Sequence, residues 1–542
     1  MVHIFHICYI KILLCQPETL RKRFASQIRL KWRGSRSSDS CLSAGRSASA
    51  MRVCQVAVTL ANIRGGTRPA TGAPKASSRL KRFIMATITS LNPATGLPIR
   101  SFELQDDVAV DAALEAAAKA QRAWRQAPIS ERVGLLSRMA VALRAGKARY
   151  AEMIVREMGK PLAEAEAEIE KCAWNCDFYA EHAPRFLADE PVVSSATESV
   201  VTFEPLGVVL AIMPWNYPFW QYFRFAAPAL AAGNGAILKH ASNVPECALA
   251  VQEVMEAAGA PEGLTATLLI GSSRIAALVA DDRIAAVTLT GSTEVGAIVA
   301  AQAGAALKKQ VLELGGSDPF IVLADADLEA AAETAVKSRY VNVGQACINA
   351  KRFIVEETVA DRFTELFVEK AAALKIGDPM ERDTKIGPMA RDNLRATLHE
   401  QVKRSLAEGA MLKLGGEPVE GQGFYYPATV LDHVKPGMTA FREETFGPVA
   451  AIIRAKDADD AIALANDSEY GLGAALWTSD TVRGRRLASR IDAGAVFING
   501  MTASDPRIPF GGIKRSGYGR ELGVYGIREF VNIKSVWVGP AR

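Results

Sequence analysis

Gly207-Val-Val-Leu-Ala-Ile-Met-Pro-Trp-Asn-Tyr-Pro218 decides the reading of this chain. An apolar run leads from a glycine into a loop stiffened by two prolines, and three more short apolar runs follow. They are Gly235-Ala-Ile-Leu238, Thr267-Leu-Leu-Ile270 and Ala286-Val-Thr-Leu289. Runs this short, bounded by Gly and Pro, read as buried strands, whereas residues 245–258 and 272–279 between them have helical spacing. Strand-helix alternation of this kind predicts a parallel, doubly wound sheet, the usual home of a dinucleotide. A second alternating series runs through Pro319-Phe-Ile-Val-Leu323, Arg352-Phe-Ile-Val355, Ala450-Ala-Ile-Ile453 and Gly494-Ala-Val-Phe-Ile498, which predicts a second α/β domain. Ahead of both lie predicted helices over 106–124, 129–157 and 161–186. Residues 192–203 are Thr, Ser and Val-rich and read as a hairpin outside the main sheet. The strand-like stretch 530–538 could pair with that hairpin or with a partner subunit. The fold class is therefore α/β: a doubly wound cofactor-binding domain, an α/β catalytic domain and a small β element for oligomerisation.

At 542 residues the chain is too long for one core, and 49% hydrophobic with 23% charged residues is ordinary globular composition. No apolar run is long enough to span a bilayer, so no membrane partner is expected. Eight cysteines form no CxxC pair, so neither a metal site nor a disulfide framework is indicated, and a reducing, cytoplasmic setting fits. The net charge of +5 is unevenly spread. Residues 1–85 carry sixteen Lys and Arg against only Glu18 and Asp39, a balance of +14. The other 457 residues carry forty-eight basic and fifty-seven acidic groups, a balance of −9, which gives no support for nucleic-acid binding. The basic front segment has two readings: an Arg-rich targeting sequence, or upstream sequence ahead of a true start at Met85. The second is favoured, because Met85-Ala-Thr-Ile-Thr-Ser-Leu-Asn-Pro93 opens like a soluble enzyme. Residues 1–84 are expected to be a disordered or non-native extension.

Cys347, in Val343-Gly-Gln-Ala-Cys-Ile348, is a candidate covalent nucleophile, and Glu313, in Leu312-Glu-Leu-Gly-Gly316, is a candidate base. Taken alone, either residue has a blander reading, as a buried inert thiol and a surface charge. Asn216, between two prolines, could cap a helix or aim its amide at an oxyanion. The turn Gly291-Ser-Thr-Glu-Val-Gly296 follows a strand and opens a helix, so it presents backbone N–H groups to an anion. Its spacing is neither GxGxxG nor a Walker A loop.

Together these residues resemble the NAD(P)-dependent aldehyde dehydrogenase superfamily from about Leu91 to Trp537. The motifs that carry the likeness are Pro214-Trp-Asn-Tyr-Pro218, Lys239 with Ser242, Gly291 to Gly296, Glu313-Leu-Gly-Gly316, Gly344-Gln-Ala-Cys347, Glu443-Glu-Thr-Phe-Gly-Pro448 and Pro509-Phe-Gly-Gly-Ile-Lys514 with Ser516-Gly517. Lys239-His-Ala-Ser-Asn-Val-Pro245 and Ala503-Ser-Asp-Pro506 look most like bacterial succinate-semialdehyde dehydrogenases. The resemblance implies an aldehyde dehydrogenase fold, with a cofactor-binding domain over 85–314 (its hairpin 190–204 in the oligomerisation element), a catalytic domain over 315–527 and an oligomerisation strand over 528–542. It implies attack by Cys347 on the aldehyde, an oxyanion held by Asn216 and the Cys347 N–H, and a thioester hydrolysed by water that Glu313 activates. It further implies that Trp215, Lys239, Ser242, Gly291, Ser292, Gly296, Glu444 and Phe446 hold NAD or NADP, in a homodimer or homotetramer. Family members that pass the acyl group to coenzyme A lack a glutamate at the position of Glu313, so release to water is expected.

For the substrate, Arg224 matches the position where succinate-semialdehyde enzymes hold a carboxylate, although an arginine there could equally pair with a neighbouring acid. Val341 replaces the second arginine of some members, and Ser504 could supply a hydroxyl instead. Asn349 stands where a redox-switch cysteine would be, so that switch is not expected. For the cofactor, Ser242 stands where NAD-preferring members have a Glu that repels a 2′-phosphate. NADP is therefore expected to be accepted at least as well as NAD. The expected reaction is oxidation of succinic semialdehyde or a similar short semialdehyde. The alternatives are another aldehyde (glutarate semialdehyde, aliphatic or aromatic), a cofactor-independent thiol esterase, or a binding protein on a retired scaffold. Retention of Cys347, Glu313, Asn216 and Lys239 together speaks against the last.

Overall fold

The computed structural model describes residues 86–540, and the expectations for residues 1–84 lie outside them. Strand Val208–Met213 is buried along its whole length. It lies between Gly235–His240 and Ile284–Thr290, parallel to both. Thr265–Thr267 and Lys309–Glu313 extend this sheet on either side. Its sixth strand, Gly517–Tyr518, arrives from late in the sequence and pairs antiparallel with Lys309–Glu313. A strand buried on both faces needs apolar residues at every position, which is why these runs do not alternate.

The second sheet has seven strands, in the order Met411–Leu414, Thr429–Asp432, Val449–Ala455, Ala350–Glu356, Asp318–Val322, Gly473–Trp477 and Ala495–Ile498. All neighbours are parallel except the first pair. In a separate three-stranded sheet, Val531–Val538 runs antiparallel to Glu198–Pro205, which also pairs with Glu190–Pro191. Of the two partners open to the C-terminal strand, the hairpin of the same chain is therefore one it takes. A further hairpin, Thr87–Asn92 with Leu97–Glu103, was not anticipated. Among the described residues no helix is long and apolar enough to cross a membrane.

Two expectations need correction. The predicted helix over 129–157 breaks at Gly146 into Ile129–Ala145 and Lys147–Met158. The Tyr150 ring packs against the Gly146 α-carbon, and a Cβ there would lie 2.2 Å from Tyr150 Cε2. The strand expected over 267–270 is instead Thr265–Thr267. Past it, Leu269 exchanges hydrogen bonds with Gln105: its N–H donates to the Gln105 Oε1 at 2.9 Å and its carbonyl accepts from the Gln105 N–H at 2.9 Å. Leu268 N–H still donates to the Leu238 carbonyl at 2.8 Å, and Leu268 and Ile270 are both buried, so the ladder runs out within this apolar run while the packing continues.

The helix that follows the Asn216 loop, Trp220–Ala231, is buried at all twelve positions, Arg224 included. A helix apolar all round belongs in the core of a large protein, and a guanidinium within it must find a partner. The strands of the first sheet end, at their C-terminal edges, at Pro214, Ala241, Gly291 and Leu314, the edge where open α/β sheets bind ligands.

Candidate active site

Cys347 sits in a loop between the helix Leu328–Tyr340 and the strand Ala350–Glu356, and the backbone there is strained. Asn342 (φ 55°), Val343 (φ 58°) and Gly344 (φ 70°) are consecutive left-handed residues. The two non-glycines each cost about 1–2 kcal/mol, so the surroundings must hold them in place. Asn342 N–H donates to Glu164 Oε2 at 2.7 Å, and its Nδ2 donates to the Asn216 carbonyl at 3.0 Å and the Gln345 carbonyl at 3.1 Å. Buried Arg339 donates to the carbonyls of Ala350 (2.9 Å), Gly344 (3.1 Å), Thr445 (3.0 Å) and Gly447. Buried Lys351 donates to the carbonyls of Ala346 (3.1 Å) and Cys347 (2.8 Å), and pairs with Glu444 Oε1 at 3.4 Å. Asn349, read from sequence only as a missing cysteine, accepts from Ala346 N–H at 2.7 Å and donates to Ser338 O at 2.8 Å.

Both glycines of Glu313-Leu-Gly-Gly316 permit close approach. A Cβ on Gly316 would lie 2.8 Å from the Cys347 carbonyl, and one on Gly315 would lie 2.6 Å from Glu444 Oε2. Glu444 Oε1 accepts from the Gly316 N–H at 3.0 Å. The nucleophile loop, the Gly-Gly turn and the Glu444 loop thus interlock.

Cys347 and Asn216 line two cavities at once. One, of about 240 Å³, is walled by Pro214, Trp215, Thr290, Gly291, Ser292, Leu314, Gly315, Leu394, Glu444 and Phe446. The other, of about 50 Å³, is bounded by Lys171, Trp220, Arg224, Ser504 and Phe510, among others. Asn216 Nδ2 donates to the Gln345 carbonyl at 3.0 Å. That uses one of its two amide hydrogens. Among the described residues the Cys347 N–H makes no hydrogen bond. Burial pushes the Cys347 thiol up to about 12. Lys351 and Arg224 pull it down, while Glu313 and Glu444 push it further up.

The first cavity suits the nicotinamide half of a dinucleotide. Its walls are mostly apolar, with Trp215 and Phe446 in edge contact at 5.8 Å. The 13-residue helix Thr293–Ala305 starts at its rim, with Ser292 as N-cap, so free N–H groups and the helix dipole face a pyrophosphate there. Glu444 is available for hydroxyl groups. Gly296 instead serves packing, since a Cβ there would lie 2.3 Å from the Leu314 side chain. Lys239 ends its strand half-buried and lines neither cavity, and burial lowers its pKa. Ser242 lines a third cavity, of about 460 Å³, with Asn243, Arg391, Asn393 and Phe424.

Nine predicted site residues thus line the two cavities, Lys239, Ser242, Gly296 and Glu313 do not, and Glu313 and Arg224 need comment. Glu313 is buried and lines neither cavity beside Cys347; its carboxylate oxygens find no hydrogen-bond partner. One of them packs on Gly511, where a Cβ would lie 2.8 Å away. Burial raises its pKa, and the nearby Glu521 carboxylate raises it further, against Arg224 and Arg520. Arg224, only 2% exposed, is ion-paired through Nε with Glu521 and also donates to Thr290 Oγ1 at 3.4 Å. The pairing with a neighbouring acid, left open on sequence grounds, is what the structure contains.

Residues 83–536 match the family model described as aldehyde dehydrogenase family. The chain belongs to the aldehyde dehydrogenase family. It is 54% identical over 450 residues to the succinate semialdehyde dehydrogenase [NAD(P)+] Sad of Escherichia coli K12, covering 83% of this chain and 97% of that one. It is 48% identical over 454 residues to succinate-semialdehyde dehydrogenase [NADP(+)] 1 of Mycobacterium tuberculosis H37Rv, covering 83% and 99%. Its fold superposes on the crystal structure of the Streptococcus pyogenes succinic semialdehyde dehydrogenase in complex with NADP+. The TM-score is 0.82 at 36% identity, over 84% of this chain and 100% of that one.

Four charged residues packed at this site carry no motif in the sequence of this aldehyde dehydrogenase: Lys171, Arg339, Lys351 and Glu521. Only Lys351, four residues after Cys347, carried a local signal. The others come from distant segments, and a charge gives no sign in sequence of being buried. A tight joint in the Cys347 loop is Gly344, where a Cβ would lie 2.4 Å from the Gly447 carbonyl at φ +70°. Gly344→Ala is expected to cost about 1–3 kcal/mol of stability and to depress aldehyde oxidation in the protein that remains folded. Thermal melting and turnover indistinguishable from wild type would show that the loop is not held as described.

Proposed function

We propose that this enzyme oxidises succinic semialdehyde to succinate, releasing the acid to water and reducing NADP at least as readily as NAD. The carrying observation is the position of Cys347 and Asn216, which line both a mostly apolar cavity of about 240 Å³ and a small cavity bordered by cations. Relatives named as succinate-semialdehyde dehydrogenases, about half identical over nearly their whole length, support the same substrate.

In this reading Sγ of Cys347 bonds to the aldehyde carbon. The carbonyl oxygen takes up the electron pair and is held by the second Asn216 amide hydrogen and the Cys347 N–H. Burial keeps the thiol protonated at rest, so its proton must leave as the bond forms. That proton passes to solvent, the thiolate being favoured by Lys351 and Arg224; Glu313, a carboxyl raised by burial and poised for proton transfer near neutrality, acts only afterwards. A nicotinamide held in the first cavity would supply the oxidant, taking two electrons with the aldehyde hydrogen. Glu313, unbound at both oxygens, then turns toward Cys347 and deprotonates a water. That water attacks the thioester carbon, the C–S bond breaks and the thiol is restored. Trp215, Gly291, Ser292, Glu444 and Phe446 hold the nicotinamide half and pyrophosphate, and Lys239 and Ser242 the adenosine end.

Ser242 supports NADP: it is small and neutral, and Arg391 on the same cavity has no carboxylate within ion-pair distance among the described residues. The proposed division into 85–314, 315–527 and 528–542 follows the sheets, except that Gly517–Tyr518 joins the first. The strand Val531–Val538 has a free edge and exposes Ile533 (61%) and Trp537 (58%), which supports a homodimer or homotetramer. Four reduced cysteines among the described residues accord with a cytoplasmic setting.

Cys347→Ala is expected to abolish aldehyde oxidation while cofactor binding persists, and Glu313→Gln to accumulate a thioester visible by intact-mass spectrometry after mixing aldehyde and cofactor. Rapid steady turnover by either variant would contradict these roles. For the cofactor, Ser242→Glu should weaken NADP and spare NAD, because a carboxylate would repel the 2′-phosphate. A wild-type kcat/KM clearly higher for NAD would show that other adenosine-pocket residues override Ser242.

A further inference from the structure

We propose that the ammonium of Lys171, paired with the Ser504 hydroxyl, is the anchor for the carboxylate of the semialdehyde. The inference rests on the semialdehyde reading above and departs from the expectation that Arg224 supplies the charge, with Ser504 adding a hydroxyl.

The small cavity beyond Cys347 is lined by two cations, Arg224 and Lys171. Arg224 is already neutralised by Glu521, and its guanidinium also lies over the Phe510 ring, 4.8 Å from the centroid. Lys171 differs. It projects from the helix Leu162–Phe186, places Nζ 4.4 Å from the centre of the Trp220 ring and donates to Ser504 Oγ at 2.7 Å. Among the described residues no carboxylate lies within 4.0 Å of it. Asp505, the acid next to Ser504 in sequence, is engaged by Arg507. Lys171 thus supplies the positive charge left uncompensated at the end of the substrate cavity.

The hydrogen-bond directions reinforce this. Since Lys171 donates to the Ser504 oxygen, the Ser504 hydroxyl hydrogen is free to point at another acceptor. Ammonium and hydroxyl together offer a carboxylate two donors. The cavity volume of about 50 Å³ and the walls of Trp220, Ile348 and Phe510 suit a short carbon chain between carboxylate and aldehyde. Burial pushes the Lys171 amine down to about 8, Arg224 adds to this, and Cys172, Asp505 and Glu168 oppose it. It is therefore charged at neutral pH, and an arriving carboxylate relieves its isolation. Arg224 becomes a positioning residue: it holds Glu521, whose carboxylate in turn bears on Glu313.

The experiment compares kcat/KM for succinic semialdehyde and for butanal, an uncharged aldehyde of the same length, and measures the inhibition constant of succinate. Lys171→Met should lower the semialdehyde-to-butanal ratio about ten- to a hundred-fold and weaken succinate similarly. Lys171→Arg should keep much of both. The wild type gives a second readout that needs no substitution. Succinate inhibition should hold steady through neutrality, then weaken as pH rises beyond the Lys171 pKa, where the ammonium loses its proton. A Lys171→Met enzyme with the wild-type ratio and succinate constant, or succinate inhibition that stays flat to high pH, would overturn the anchor and leave the semialdehyde reading standing. A wild type with no preference between the two aldehydes would remove that reading and the anchor with it.

Discussion

The left-handed run Asn342-Val343-Gly344 is the constraint on which the site depends, and two buried cations hold it in place. Arg339 spends its guanidinium on the carbonyls of Gly344, Ala350, Thr445 and Gly447, and Lys351 spends its ammonium on those of Ala346 and Cys347. Neither cation is there chiefly to form a salt bridge. Each gathers backbone oxygens that a sharp reversal would otherwise leave unsatisfied in the core. Because Arg339 reaches the Thr445–Gly447 carbonyls and Lys351 reaches Glu444, the same contacts that aim Cys347 also fix the wall of the cofactor cavity. Nucleophile and cofactor wall are positioned as one piece, which is how a reacting geometry is held without large motion.

Around that piece the charges are divided by task. Arg224 and Glu521 neutralise each other inside the core, and Glu313 lies beside them with a raised pKa and no hydrogen bond to its oxygens. Glu313 feels some of the same charges as Cys347, Arg224 among them. On the proposed mechanism it must turn before water can be activated. Lys171 is left as the uncompensated charge at the far end of the cavity, where a substrate carboxylate would complete it.

Much of this was legible in the sequence because it is written in short contiguous pieces. The parallel strands announced themselves as apolar runs ending in Pro214 or Gly291, and the Gly-Gly of Leu312-Glu-Leu-Gly-Gly316 marks close approaches to Cys347 and Glu444 that any side chain would block. What stayed hidden depends on distant segments meeting. Lys171 and Ser504 are 333 residues apart and Arg224 is nearly 300 from Glu521, and nothing local to any of them signals burial. The helix break at Gly146 was missed because the apolar spacing runs on through it while a ring from the next turn needs the space. Leu268 and Ile270 looked like strand because buried coil and buried strand demand the same side chains.

On the proposed mechanism Cys347 is ready to be acylated while Glu313 must still swing in to release the acid. Rapid mixing of the wild-type enzyme, saturated with NADP, against excess succinic semialdehyde tests it directly by absorbance of the reduced nicotinamide. A burst approaching one equivalent per Cys347 is expected, followed by a slower linear phase set by deacylation. Linear formation from the first turnover, with no burst, would contradict it.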